Sequence, residues 1–193
     1  MKKTIFVLCI PLLIPHLLYY YLTNNSKIKQ DIKQWLFIKE KNYSFTIGLV
    51  YLLLKYPEFR NVYYLRVNKY YRPLCFYLPQ LKTLYIQTPS SQIGGGLYIG
   101  HGWGTVINAK KIGQNCRVNQ NVTIGSRNLK TPIIGDNVNI TAHAVVVGGI
   151  KIGNNSQIGA GAIVVKDVPD NAVVVPAKSN IIKINNQRCI IPL

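Results

Sequence analysis

Acidic residues are scarce: 6 Asp and Glu stand against 23 Lys and Arg in 193 residues, a formal charge of +17. So few carboxylates argue against a two-carboxylate glycosidase or a magnesium-dependent phosphoryl-transfer site. Cysteine is sparse too. Cys9, Cys75, Cys116 and Cys189 lie far apart, with neither the density of a disulfide scaffold nor the C-x-x-C spacing of a zinc site, which fits a reducing compartment. Charged residues make up only 15% of a chain that is 48% hydrophobic, which excludes disorder for most of it and leaves material for one core. The cations are spread through both halves without a helix-turn-helix, zinc-finger or RNA-binding signature, so nucleic acid is not the expected partner. A scattered positive surface suits an anionic leaflet or an acidic substrate. With carboxylates and thiols thinned out, the catalytic options narrow towards histidine.

Thr4 to Leu22 is nearly all apolar behind Lys2-Lys3, long enough to cross a bilayer, yet interrupted by Pro11 and Pro15 beside His16. Basic Lys27, Lys29 and Lys33 follow, and no small-residue cleavage site stands after Tyr19-Tyr20-Tyr21, which argues against a signal peptide. The run reads first as an interfacial anchor, then as a helix capping the core, and last as a true span. Short helices are predicted over 47–56 and 60–71, separated by Pro57 as a breaker. The resulting division is a membrane-associating segment (1–25), a helical region (26–88), a repeat domain (89–180) and a tail (181–193).

From residue 93 an aliphatic residue returns every six positions. Ile134, Ile140, Val146, Ile152, Ile158 and Val164 form an unbroken ladder; Val106, Ile112, Val118 and Ile124 form another, with Ile93 and Ile99 ahead of it after a one-residue insertion. A helix needs a period near 3.6 and a hairpin sheet needs turns between strands. Six residues match one short strand plus one corner, so three units close a triangular coil, and stacked coils pair as parallel strands. Between Ile124 and Ile134 the beat lengthens to ten, which pushes out a loop around Arg127-Asn128-Leu129-Lys130. The pattern resembles the hexapeptide-repeat left-handed parallel β-helix, an all-β solenoid, here with an α-helical N-terminal segment and about five coils between 93 and 170.

Carbonic anhydrases share that fold but need three zinc-binding histidines, and His16 lies outside the repeat, so no metal is expected. The chain carries Pro57-Glu58-Phe59-Arg60-Asn61, His101-Gly102-Trp103-Gly104-Thr105-Val106-Ile107, Asn121-Val122-Thr123-Ile124-Gly125, Ile158-Gly159-Ala160-Gly161-Ala162 and Pro176-Ala177-Lys178. Through these, over roughly residues 55–180, it resembles the serine acetyltransferase branch of the hexapeptide acyltransferases. The resemblance implies acetyl-CoA as co-substrate and His101 as the base that takes a proton from an attacking alcohol. It places the pantetheine arm along a column of small residues, Ala142 and Ala160, 18 positions apart, beside Gly125 and Ser126, with Lys166 or Lys178 for the CoA phosphates. It also implies a homotrimer. His143 is read as a surface residue.

Two departures bear on the acceptor. Where serine acetyltransferases carry an Asp-Ile-His-Pro segment whose aspartate orients the base, this chain has Ile86-Gln87-Thr88-Pro89, and where they carry Arg-His-Pro it has Lys130-Thr131-Pro132. The pattern is similar to acetyltransferases of capsule and exopolysaccharide clusters. The leading expectation is therefore acetylation of a saccharide hydroxyl at the cytoplasmic face of the membrane, with Trp103 stacking on the sugar and Lys130 near the acceptor. Serine O-acetyltransferase is the alternative, and an inactive membrane scaffold the third reading.

Overall fold

The computed structural model describes residues 11–75, 77–177 and 179–192. Lys2, Lys3 and Lys178 lie outside the described residues. Four helices come first: α1 (Ile14–Thr23), α2 (Ser26–Ile38), α3 (Phe45–Lys55) and α4 (Pro57–Arg66). The predicted pair is thus shifted. Pro57 begins a helix instead of merely ending one, because a first-turn proline gives up no intrahelical hydrogen bond. Asn25 caps α2 by accepting from the amides of Lys27 (2.9 Å) and Ile28 (3.4 Å).

One side of α1 is core. Leu13 and His16 are fully buried, and Tyr19 and Tyr20 nearly so; the His16 ring sits 3.0 Å from the Tyr64 hydroxyl, and the Tyr63 hydroxyl donates to the His16 carbonyl at 2.7 Å. The other side leaves Ile14, Leu18 and Leu22 exposed. Residues 13–20 therefore pack as a helix capping the core, while an apolar ridge stays free. No helix of the described residues is long and apolar enough to cross a membrane.

The strands form a parallel solenoid of three faces. The first stacks β1 (Leu84–Ile86), β3 (Thr105–Ile107), β6 (Thr123–Gly125), β9 (Val145–Val147) and β12 (Ile163–Val164). The second stacks β4 (Lys111–Ile112), β7 (Ile133–Ile134) and β10 (Lys151–Ile152), extended by single bridges at Ile93 and Val168. The third stacks β2 (Tyr98–Gly100), β5 (Arg117–Asn119), β8 (Asn139–Ile140), β11 (Gln157–Ile158) and β13 (Val173–Val174). A hairpin of β14 (Asn180–Ile184) and β15 (Gln187–Pro192) follows. The ladder aliphatics point inward as expected, and Cys116, Val122, Val138, Ala144, Ser156 and Ala162, each two residues ahead of a ladder position, fill the corners behind them.

One rung departs from the predicted beat. Ile107, not Val106, pairs with Ile124 and is fully buried, while Val106 pairs with Thr123 and faces outward. The segment from Ile99 to Ile107 is longer than a hexapeptide because the turn at His101–Gly104 is wider than an ordinary corner, and the next segment, to Ile112, is shorter by one. At the opposite corner, between the second and third faces, Asn115, Asn137, Asn155 and Asn171 all have φ between 55° and 58°, a region asparagine tolerates better than most residues. Their side-chain amides bond from coil to coil at 3.3, 2.9 and 3.1 Å.

The helices are fastened to the first coil by a buried ion pair. Arg66 meets Asp31 at 3.0 Å and also donates to the carbonyls of Ile93 (3.0 Å) and Gly94 (2.6 Å); Asp31 accepts from the amides of Gly96 (2.7 Å) and Leu97 (2.9 Å). Trp35 adds a bond from its indole to the Leu97 carbonyl at 2.8 Å. Lys27, the first of the cations that follow the apolar run, donates to the carbonyls of Ser90 and Ile93 at 2.9 and 2.7 Å.

Candidate active site

The widened turn between the third and first faces is built from left-handed residues: His101 (φ 64°), Gly102 (φ 63°) and Gly104 (φ 62°). Gly102 is buried, and a Cβ there would stand 2.9 Å from Ile99, 3.1 Å from Leu81 and 3.3 Å from Glu58, so glycine is required both for the dihedral and for the space. Thr105 closes the turn by donating to the Asn119 carbonyl at 3.0 Å. The result lifts the His101 ring into solvent, where its neighbour is Trp103, itself 57% exposed, with ring centroids 5.6 Å apart and planes tilted by 33°. No side chain among the described residues hydrogen-bonds the imidazole, which leaves both ring nitrogens open to a reactant. Burial pushes the Cys75 thiol up to about 11 and that of Cys116 to about 12, so neither supplies a thiolate nucleophile. Among the described residues no group of three His, Cys, Asp or Glu is placed to hold a metal ion.

The same corner carries the small-residue column. Asn139 pairs with Gln157 and Ile140 with Ile158, which puts Ala142 level with Ala160 one coil on; the Gly161 amide donates to the Ala142 carbonyl at 3.0 Å. His143 (φ 62°) is exposed in this column, its amide bound to the Gln120 carbonyl at 3.2 Å. The remaining sequence candidates lie at the other end of the first face. Gly125 ends β6, Ser126 opens the ten-residue excursion, and Lys166 leaves β12 at the equivalent corner. Arg127 and Lys130 bond each other's backbones at 3.0 and 3.2 Å around Asn128 (φ 52°) and Leu129 (φ 61°), a tight turn with Leu129 98% exposed at its tip. One chain thus brings His101, Trp103, Ala142 and Ala160 to one edge and Gly125, Ser126, Lys130 and Lys166 to another. A groove of about 730 Å³ runs between α2 and the third face past Lys33, Phe37 and Arg117 and contains none of these residues.

No protein-family model matches the chain. Over 100 residues it is 43% identical to the serine acetyltransferase of Staphylococcus aureus, a stretch that covers 49% of this chain and 47% of that protein. The chain therefore spans about half the length of the curated relatives it matches. Among solved structures it is similar to Neisseria gonorrhoeae serine acetyltransferase in complex with serine, with a TM-score of 0.60 and 27% identity over 78% of this chain and 65% of that one. It is also similar to Entamoeba histolytica serine acetyltransferase 1 in complex with L-cysteine, with a TM-score of 0.59 and 26% identity over 77% and 63%.

The fold is thus the left-handed parallel β-helix of hexapeptide repeats, with a helical N-terminal segment. Within that class the chain is serine acetyltransferase-like. These likenesses overturn the expected saccharide acceptor, since the relatives and the neighbours alike are named for serine. The saccharide reading rested on two altered segments and the hydrophobic N-terminus, and changing Asp-Ile-His-Pro and Arg-His-Pro removes contacts without building any that would select a sugar.

Proposed function

We propose that the protein is an acetyl-CoA-dependent O-acetyltransferase acting on the hydroxyl of serine, with His101 as general base. The observation that carries this is the histidine lifted into solvent by a left-handed turn, unbonded and flanked by Trp103, within a β-helix similar to those of serine acetyltransferases. The neutral imidazole takes the hydroxyl proton as the oxygen attacks the thioester carbon. Collapse of the tetrahedral adduct then breaks the carbon–sulfur bond, and the departing thiolate recovers the proton from the imidazolium. No acyl-enzyme is needed. Trp103 forms one wall of the acceptor site, and the pantetheine arm follows Ala142 and Ala160, where small side chains leave backbone groups accessible. Gly125, Ser126, Lys130 and Lys166 lie too far round the first face to join the same edge, and a homotrimer, in which one copy's Leu129 loop meets the next copy's His101 turn, unites the two sets. The reaction belongs to the cytoplasm, where acetyl-CoA is made, and the exposed ridge of Ile14, Leu18 and Leu22 is the part suited to peripheral contact with the membrane's inner face.

The test is release of free thiol from acetyl-CoA with L-serine, with sugar acceptors and with none. Release that depends on serine is expected; release that depends only on a sugar would refute the assignment of the acceptor, and none with any acceptor would refute the activity.

A further inference from the structure

The chain has six carboxylates, and the structure accounts for five. Asp31 is engaged by Arg66 and two amides; Asp136, Asp167 and Asp170 accept from the amides of Gln114, Lys151 and Asn154 at coil corners, each within 2.8 Å; Glu40 is exposed at the end of α2. Glu58 is the sixth. It lies in the first turn of α4, only 9% exposed, and makes no hydrogen bond or ion pair with any described residue. Every fully buried polar side-chain atom of the described residues has a partner, so the Glu58 oxygens, which have none, reach water although the stem is buried. Its Cγ is 3.3 Å from where a Cβ on Gly102 would stand, next to His101 in the chain. The nearby Arg60 forms no ion pair with it: that guanidinium donates to the carbonyls of Leu53, Leu54 and Pro79, and its charge, close enough to be felt, favours the ionised carboxylate. An acid in a first helical turn is favoured by the helix dipole, but a solvated position serves that purpose without burying the stem against a catalytic turn.

We propose that Glu58 determines acceptor specificity: its carboxylate binds the ammonium group of a short amino alcohol while His101 takes the hydroxyl proton. This rests on the serine reading above and extends it, since the charge that reads the acceptor comes from the helical region and not from the coils of the repeat. The two groups flank the acceptor without touching each other, so Glu58 acts on binding and His101 on the chemical step.

The test compares the full chain with Glu58→Gln and Glu58→Asp in steady-state thiol release, using L-serine, ethanolamine and 3-hydroxypropionate. The native chain should favour the two ammonium-bearing acceptors. Glu58→Gln should raise KM for both by about 10- to 100-fold, the scale of one charged hydrogen bond, and leave the KM for acetyl-CoA unchanged. Glu58→Asp, which keeps the charge, should recover part of that loss and shows that the glutamine variant is not simply misfolded. An unchanged KM for serine overturns the proposal, and so does an equal fall in kcat with all acceptors, which would make Glu58 a positioning residue for the turn. Activity with ethanolamine but not serine would refute the serine reading and leave Glu58's role standing. Preference for the ammonium-free alcohol would refute Glu58's role.

Discussion

Replacing Arg66 by Met removes the charge that holds the helices to the first coil while keeping much of the side chain's bulk. The substitution leaves Asp31 buried at 2% exposure with only two amides against it, and deprives the Ile93 and Gly94 carbonyls of their donor. Burial already pushes the Asp31 carboxyl up, opposed by Arg66 and the amides of Leu97 and Gly96. Breaking such a pair from one side costs about 3–5 kcal/mol, a large share of the roughly 5–15 kcal/mol that stabilises a typical domain. At about 2–4 °C per kcal/mol for a chain of this size, Tm should fall by about 6–20 °C. Circular dichroism distinguishes where the loss falls: the helical signal should melt first, because the stacked coils have their own aliphatic core. Arg66→Lys should recover little, since one ammonium cannot span both the carboxylate and two carbonyls. A melting point within about 2 °C of the native chain would show that the pair is not what fastens the helices.

His101→Ala should lower turnover by about 10²- to 10⁴-fold with the fold retained; His101→Asn should do the same while suiting the left-handed backbone better, so unimpaired turnover in both removes His101 from the mechanism. Ile107→Ala should cost about 2–5 kcal/mol and Val106→Ala under about 1 kcal/mol by urea denaturation. The reverse ranking would restore the strict six-residue beat through Val106 and refute the inward register of Ile107.

The regular coils were legible because their signal repeats: each inward aliphatic is one of many at the same interval, and a single coincidence cannot shift the set. The wide turn was not, because its extra length falls where no aliphatic marks the register, and Val106 and Ile107 are equally apolar. A count by sixes chose the wrong one. The partners of Lys27 were hidden for a different reason. These carbonyls, of Ser90 and Ile93, are more than sixty residues away in sequence and bear no side-chain signature. Glu58 was visible only as part of a motif. The scarcity of carboxylates was the available signal, since in a chain with six of them any acid beside the His101 turn is conspicuous. His101 and Trp103 fall together as the local pattern suggested, whereas Gly125 and Lys166 share a sequence logic with Ala142 but stand at another corner, a separation that follows from the triangular cross-section and not from any residue's chemistry.

His16 was read as part of an apolar run that meets a bilayer, and its burial makes the cap itself sensitive to acid. The Tyr64 hydroxyl donates its one proton to the Cys75 carbonyl at 2.6 Å, so the His16 Nε2–H donates to the Tyr64 oxygen at 3.0 Å, while Nδ1 lies 3.4 Å from the Tyr77 hydroxyl. Burial, reinforced by the Arg60 charge and only partly opposed by a backbone hydrogen bond to Cys75, lowers its pKa from 6.5 to about 4. The unfolded chain therefore takes up a proton as pH falls below 6.5 while the folded chain does not. Stability from this group is complete above pH 6.5 and is lost as pH falls towards 4, about 3 kcal/mol in all. Of the groups around the ring, Tyr63, Tyr64, Tyr77 and Cys75 stay uncharged through this window, and Arg60 keeps its charge. His16→Gln keeps an N–H for Tyr64 but does not titrate. Urea denaturation of both chains at pH 7 and pH 4.5 should show the native chain losing about 2–3 kcal/mol more than the variant. Parallel losses would mean that the ring is solvated and α1 does not cap the core; a larger loss in the variant would mean that the folded state prefers the imidazolium despite the cost of burying its charge.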